Sequence, residues 1–316
     1  MIRIFQQDEG AVRKIKDIES FSQTDRTLWV DLQNPSTEET KSVEEKFDVN
    51  FQSQQEQAEI EISSRYIEED DYLIANSNFL IPNKENGYTN VPVSFMLKDD
   101  MLFTYRNADL KSFADVVRRI KSRRANFRDG GQILIYIFES RVDYDADLIE
   151  LVSQQVKSIN RHLDLEATLE RAMLLQINDY QELTMQIREN VVDKQRVISA
   201  MIRSDGWFTD EEQQRLRTLI KDINSLIDHT NFIFERLEFL QNTFLGLIDL
   251  EQNRIVKIFT VLSIIFLPPT LIASIYGMNF GNMPEVNWKY GYVFALALMA
   301  LSSLGTWYIF KKKNWL

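Results

Sequence analysis

The chain has 316 residues, no cysteine, two histidines, and 47 acidic against 36 basic side chains. Without thiols there are no disulfides and no thiolate metal centres. His162 and His229 lie apart in polar helical sequence, so no His/Cys set for a transition metal is expected. The acidic excess argues against nucleic acid as a partner, because phosphate binding needs a basic face. It suits the handling of cations, and equally a domain that acids merely keep soluble.

The length predicts about two domains. Residues 1–131 alternate short strand and helix patterns and predict a mixed α/β domain. Ile2–Phe5 and Thr27–Leu32 read as strands. Asn34-Pro35-Ser36 leads into a helix with Ser36 as N-cap and Glu39 three residues on, a capping box. A second helix is predicted over Gln52–Ile62. Tyr72–Ile81, Val91–Leu97 and Met101–Tyr105 read as an antiparallel meander, with Asn86-Gly87 and Asp99-Asp100 at the turns. A basic amphipathic helix follows over Leu110–Arg124, and Asp129-Gly130-Gly131 is expected to close the domain. It contains no Gly-rich phosphate loop and no nucleophile elbow.

Residues 132–208 predict two long antiparallel helices with a turn near Asp164. Ser204-Asp205-Gly206 ends them. Thr209-Asp210-Glu211-Glu212 then opens the longest element with a second capping box and acids in its first turn. Leu216, Ile220, Ile223, Ile227, Thr230, Phe234, Leu237, Gln241, Phe244 and Ile248 keep a coiled-coil-like spacing. One helix is predicted from Thr209 to about Ile275, on the order of 100 Å long. A stripe of that kind needs partners, and a bundle of several copies is the expected source.

The stalk, 209–254, runs directly into an apolar segment, 255–275. A loop at 276–289 leads to a second apolar segment, 290–310, and a basic tail, 311–316. Each segment has about 20 residues, enough to cross a hydrocarbon core as a helix. Two transmembrane helices are expected, since only helices and closed barrels satisfy their backbone in lipid. Arg254 and Lys257 precede the first, and Lys311, Lys312 and Lys313 follow the second. Both termini are therefore placed on the cytoplasmic side. MIRIFQQDEG has no long apolar run, so no signal peptide is expected and the large N-terminal part stays cytoplasmic.

Two helices cannot enclose a pore, so any conducting form must contain several copies. On the first transmembrane helix Asn253, Val256, Thr260, Ser263, Leu267, Thr270 and Ser274 recur at three- and four-residue intervals. They mark either a pore face or a helix-packing face. The second helix reads as lipid-facing. Pro268-Pro269 must bend the first helix or free carbonyls in mid-membrane, and freed carbonyls can face a pore.

Tyr276-Gly277-Met278-Asn279 after such a helix, with a second helix and a terminal KKKNWL, resembles the CorA family of magnesium transporters. EQNRIVKIF, FLPPTLIASIYGMNF, MPEVNW and the acidic run Glu68–Asp71 are similar to the family's sequences as well. The resemblance covers essentially the whole chain. It implies a cytoplasmic α+β domain built as an α/β/α sandwich with an antiparallel sheet, then long helices and two transmembrane helices. It also implies a homopentameric funnel in the inner membrane, with no enzyme activity and no cofactor.

The activity implied is passive entry of hydrated Mg²⁺, with Co²⁺ and Ni²⁺ often accepted, driven by the membrane potential. Mg²⁺ dehydrates reluctantly, so a ring of Asn279 amides would grip its waters, while Gly277 lets the backbone turn at the mouth. Asn279 as a simple helix cap beside Gly277 is the other reading. Asn253 and Thr270 fall on polar pore positions of the family, and Val256 and Leu267 stand where some members have methionine. The family's aliphatic constriction falls near Val256 and Phe259.

Glu285 is kept at the outer mouth, while Gly281 replaces an acid. Cytoplasmic Mg²⁺ gates the family through acids between neighbouring subunits. The candidates here are Glu56, Glu59, Glu61 and Asp222; Thr218 and Asn242 stand where some relatives carry acids. A zinc-transporting relative of the same fold is the nearest alternative, and Met278 favours magnesium. A membrane-anchored coiled-coil scaffold that conducts nothing is the alternative of another class.

Overall fold

In the computed structural model the described residues are 1–8, 11–15, 26–52, 65–83, 87–122, 127–161, 170–278, 281, 283 and 288–313. Two compact units divide the chain, Met1–Gln241 and Asn242–Leu316.

In the first unit, β1 (Ile2–Asp8), β2 (Ala11–Ile15), β3 (Arg26–Gln33), β4 (Tyr66–Glu68), β5 (Tyr72–Pro82), β6 (Tyr88–Lys98) and β7 (Met101–Arg106) form one sheet in the order β2-β1-β3-β7-β6-β5-β4. The β5–β6–β7 meander is antiparallel, as its turn residues predict. β3 and β7 pair in parallel, which the sequence does not announce. β2 and β4, also unanticipated, are the two edge strands. They are short and carry charge (AVRKI, YIE), as edges that avoid further pairing do.

Side chains alternate between two layers. Leu73, Ala75, Phe95 and Leu97 face one core, and Ile74 and Met96 face the other. The smaller core lies under α1 (Thr37–Phe47), which contributes Val43. The capping box at α1 is present in both directions: Glu39 N–H donates to Ser36 Oγ at 3.1 Å and Ser36 N–H to Glu39 Oε2 at 2.8 Å. The larger core lies under α2 (Lys111–Lys121), α3 (Gly130–Arg161), α4 (Glu170–Arg203) and the amino-terminal part of α5 (Asp210–Tyr276). The layering is the expected α/β/α sandwich. The helix predicted over Gln52–Ile62 and the turn near Asp164 fall largely or wholly outside the described residues.

Asp129-Gly130-Gly131 opens α3, close to where the sequence turns helical. Asp129 Oδ1 accepts the N–H of Gln132 at 2.9 Å, capping α3. Gly130 donates to the carbonyl of Asp100 at 2.6 Å, and a Cβ there would lie 2.3 Å from the nitrogen of Leu102. The glycine is required by the close approach of α3 to β7, not by a chain reversal.

The apolar stripe of α5 is also partnered differently from the expectation. Of its residues, Leu216, Ile223 and Leu237 are buried in the chain's own larger core beside Leu219, Ile233 and Leu240, and Ile220 and Ile227 pack half-buried against it. Amide side chains bridge α4 to α5 beside them: Gln195 donates to Asn224 at 2.6 Å, Arg188 to Asn231 at 2.8 Å and Gln181 to Gln241 at 3.2 Å. Over this stretch the chain itself supplies what further copies were expected to supply.

Two buried ionic clusters fix neighbouring elements, one within the sheet and one between the sheet and its helices. Arg106 on β7 grips Asp31 on β3 with Nε and Nη2, both at 3.0 Å, and neither side chain is exposed. Arg3 adds a 2.6 Å contact and Thr104 a 3.0 Å hydrogen bond to the same carboxylate. The second cluster joins β5 to α3 and α4. Lys194 meets Asp145 at 3.1 Å and the carbonyl of Asn78 at 3.2 Å. Asp145 also accepts from Arg141 at 2.6 Å. Asp193 accepts from Ser77 at 2.9 Å and from the N–H of Asn78 at 2.8 Å, and pairs with Arg65 at 3.2 Å.

Asp31→Ala takes from the buried Arg106 and the half-buried Arg3 the carboxylate they share, and a loss of about 3–5 kcal/mol is expected in denaturant unfolding. In the second cluster Arg65 pairs with Asp193, and Arg141 and Lys194 share Asp145. Burial, opposed in part by Asp145, pushes Lys194 down to about 8. The unfolded chain then holds this proton through a range where the folded chain has lost it. Stability should therefore rise between about pH 8 and the ordinary lysine range, by at most about 1.4 kcal/mol per pH unit. Thermal melts from pH 7 to 10.5 should show the rise in the natural chain and not in Lys194→Met.

Candidate functional site: the apolar helical hairpin

The second unit contains the end of α5 and all of α6 (Gly291–Lys312). Both helices are long and apolar enough to cross a membrane, and almost none of their most apolar stretches is buried within the chain. So much exposed hydrocarbon is unfavourable in water and demands lipid or further protein. Trp288, Tyr290, Trp307 and Tyr308 are all exposed, as interface anchors are. Lys311 Nζ sits 4.8 Å from the Trp307 ring at the basic end.

α5 presents two distinct faces here. Val261, Ile264, Ile265, Pro268, Pro269, Ile272 and Tyr276 are half-buried. α6 carries its own covered face, with Gly291, Ala295, Met299, Ser302, Ser303, Thr306 and Phe310 buried or half-buried. Its small residues let two backbones approach closely. Asn253, Val256, Phe259, Thr260, Ser263, Leu267, Thr270 and Ser274 all stay exposed on the other side of α5. The predicted stripe is thus separate from the face packed against α6. From Ser263 to Ser274 it borders a shallow concavity of about 450 Å³ with Phe266 and Leu271.

The proline pair lies on the covered face. Pro268 and Pro269 have no N–H for the carbonyls of Ile264 and Ile265. The Ile265 carbonyl accepts from Ser303 Oγ of α6 at 3.4 Å. This freed carbonyl therefore faces the neighbouring helix and not the exposed stripe. On the stripe, Thr260 and Thr270 donate to the carbonyls of Val256 and Phe266 at 2.8 and 2.7 Å.

α5 ends at the glycine. Gly277 N–H donates to Ala273 at 2.9 Å and Met278 N–H to Ile275 at 3.2 Å, a tightened last turn. A Cβ on Gly277 would meet the Ala273 carbonyl at 3.2 Å. Its backbone is not left-handed, so glycine serves close packing here rather than a positive φ. Asn279 and Glu285 lie outside the described residues, as do Glu56, Glu59 and Glu61.

The CorA-like Mg²⁺ transporter protein family matches residues 24–312. The chain belongs to the CorA family. It is 36% identical to the magnesium transport protein CorA of Wolinella succinogenes and 33% identical to that of Salmonella typhimurium, each over the full length of both chains. Its fold is similar to the complete CorA magnesium transporter structure from Methanocaldococcus jannaschii, with a TM-score of 0.86 at 22% identity over 100% of this chain and 99% of that one. It is also similar, over 78% of this chain and 97% of the other, to the ZntB cytoplasmic domain of Vibrio parahaemolyticus, with a TM-score of 0.63 at 12% identity. The fold alone does not choose among ions. CorA proteins are transporters rather than enzymes.

Of the acids proposed as a CorA-type sensor, Asp222 alone is described. It is exposed on α5 and borders a cleft of about 1080 Å³ with Glu139, Asp143 and Asp147 of α3. Partial burial, and then the charges of Asp147, Glu139 and Asp222, raise the Asp143 carboxyl above its ordinary range. Lys111, Arg118, Arg119 and Arg215 line the same cleft, and Arg215 binds Glu139 through Nε and Nη2 at 2.9 and 2.7 Å. Among the described residues no group of three His, Cys, Asp or Glu side chains is placed to hold a metal.

Proposed function

We propose that the chain is a channel-like importer that passes hydrated Mg²⁺, with Co²⁺ and Ni²⁺ as accepted alternatives, as a homopentamer in the inner membrane. One observation supports this beyond family membership. α6 covers one face of α5, while the Val256–Ser274 stripe on the other face stays open and runs to Gly277-Met278. Copies arranged around that face would enclose a path that one hairpin cannot. Both termini then lie in the cytoplasm, where Arg254 and the Lys311–Lys313 tail belong. A divalent ion gains roughly 4.6 kcal/mol on crossing 100 mV inward, so no hydrolysis is needed.

The stripe offers neutral oxygens and hydrocarbon from residue 258 to 276 and no charge. A fully hydrated ion keeps its shell in such surroundings. Asn279 amides at the mouth would bind those waters, and Glu285 would concentrate cations outside. Val256 and Phe259 form the narrow apolar section, a place for a dewetting gate. Glu56, Glu59, Glu61 and Asp222 are the proposed sensors of cytoplasmic Mg²⁺. When the ion leaves them, mutual repulsion between subunits opens the path.

Proteoliposomes with an entrapped Mg²⁺ dye should fill under an inside-negative potential. Asn279→Ala should cut the rate about tenfold or more, the equivalent of one lost hydrogen bond of ~1.4 kcal/mol, with the oligomer unchanged in size. Undiminished uptake would return Asn279 to a helix cap, and absent uptake in the natural chain would favour a scaffold. Faster entry of Zn²⁺ than of Mg²⁺ would favour the zinc reading. Patch currents should rise when inner-face Mg²⁺ is removed; currents indifferent to it would exclude gating by these acids.

A further inference from the structure

Several hydroxyls of the hairpin are spent locally. Thr260, Thr270, Ser302 and Thr306 each donate to a carbonyl three or four residues back on their own helix. Ser303 does not. Its hydroxyl crosses to the Ile265 carbonyl of α5, the group that Pro269 deprives of its helical N–H. Ile265 stands eleven residues before the end of α5 and Ser303 twelve after the start of α6. Both therefore sit roughly 17 Å from the loop, near the middle of the hydrocarbon. No water reaches a carbonyl at that depth unless the protein admits it.

We propose that Ser303 is a positioning residue, which clasps the proline break of α5 to α6 through the Ile265 carbonyl and so fixes the orientation of the segment ending in Gly277-Met278. A proline pair removes two consecutive rungs of the helix, leaving the outer segment freer to turn about the inner one. The small face of α6 brings it near enough for a short serine side chain to reach across. Orientation of the outer segment decides which way Gly277-Met278 is presented. The consequence for uptake rests on the transport reading above, whereas the clasp itself does not.

The test compares Ser303→Thr with Ser303→Val in the full-length chain in lipid nanodiscs. The two replacements match in shape and differ in the hydroxyl. Ser303→Thr should keep the melting temperature and the uptake rate; Ser303→Val should lower the melting temperature by about 2–4 °C and slow uptake several-fold, with the oligomer intact. Pro269→Ala supplies an N–H to the Ile265 carbonyl, so in that background the difference between the two should vanish. Equal behaviour of Thr and Val beside Pro269 overturns the clasp. So does a Thr–Val difference that persists unchanged beside Ala. Should Pro269→Ala fail to assemble, the comparison in the natural background decides alone. A thermal difference without an uptake difference refutes the positioning role. Absence of uptake in the unsubstituted chain refutes the transport reading, and the melting data still decide on the clasp.

Discussion

Hydrocarbon offers a backbone no hydrogen bonds, and the second unit is built around that constraint. An unsatisfied carbonyl there costs several kcal/mol, so a spanning segment must close its own ladder. α5 and α6 do so along almost their whole apolar lengths. The exception is the proline pair, whose interior position costs about 3 kcal/mol or more per proline. The hydroxyl of Ser303 offsets part of that cost. Interhelical hydrogen bonds in membranes contribute on average only about 0.6 kcal/mol net. The contact therefore matters less as a source of stability than as the means by which one orientation of the break is preferred to others.

The first unit meets the opposite problem, since its polar groups are buried where water was available in the unfolded state. Asp31 and Arg106 illustrate its solution. Two charges at zero exposure are tolerated because the guanidinium meets the carboxylate with both prongs and Arg3 and Thr104 occupy what remains. Such clusters often add little net stability, but they penalise every arrangement that separates the partners. Asp31 lies on β3 and Arg106 on β7, so the cluster favours the parallel register at the centre of the sheet. Asp193 acts similarly by taking two hydrogen bonds from β5, which sets α4 against that strand.

Local signals in the sequence were legible where the physics is local. Both capping boxes are made by residues three apart, and both stand where Ser36 and Thr209 announce them. The meander and the two spanning helices follow from turn residues and from apolar length. What stayed hidden depends on residues far apart in the chain. Asp31 and Arg106 are separated by 75 positions and Asn78 and Lys194 by 116, and neither pair has a sequence pattern. The edge strands are too short to register. Gly130 looks like a terminator until the backbone of Leu102 is seen beneath it. The stripe of α5 shows that part of the chain is amphipathic, but periodicity does not say whether α4 or another copy covers it.

The same limit applies to the candidate pore face, and there chemistry helps more than pattern. A surface meant to strip a cation would carry carboxylates, which this acidic chain has in excess. The open face of α5 carries none between residues 258 and 276. Its threonines have committed their protons to their own helix, so each turns only lone pairs outward. Lone pairs accept from the water protons of a hydrated cation and bind the bare metal weakly beside a carboxylate. On the proposed reading, affinity is kept low along the path so that an ion leaves as readily as it enters. Discrimination then falls to the mouth beyond Met278, where an amide can hold the water shell without removing it.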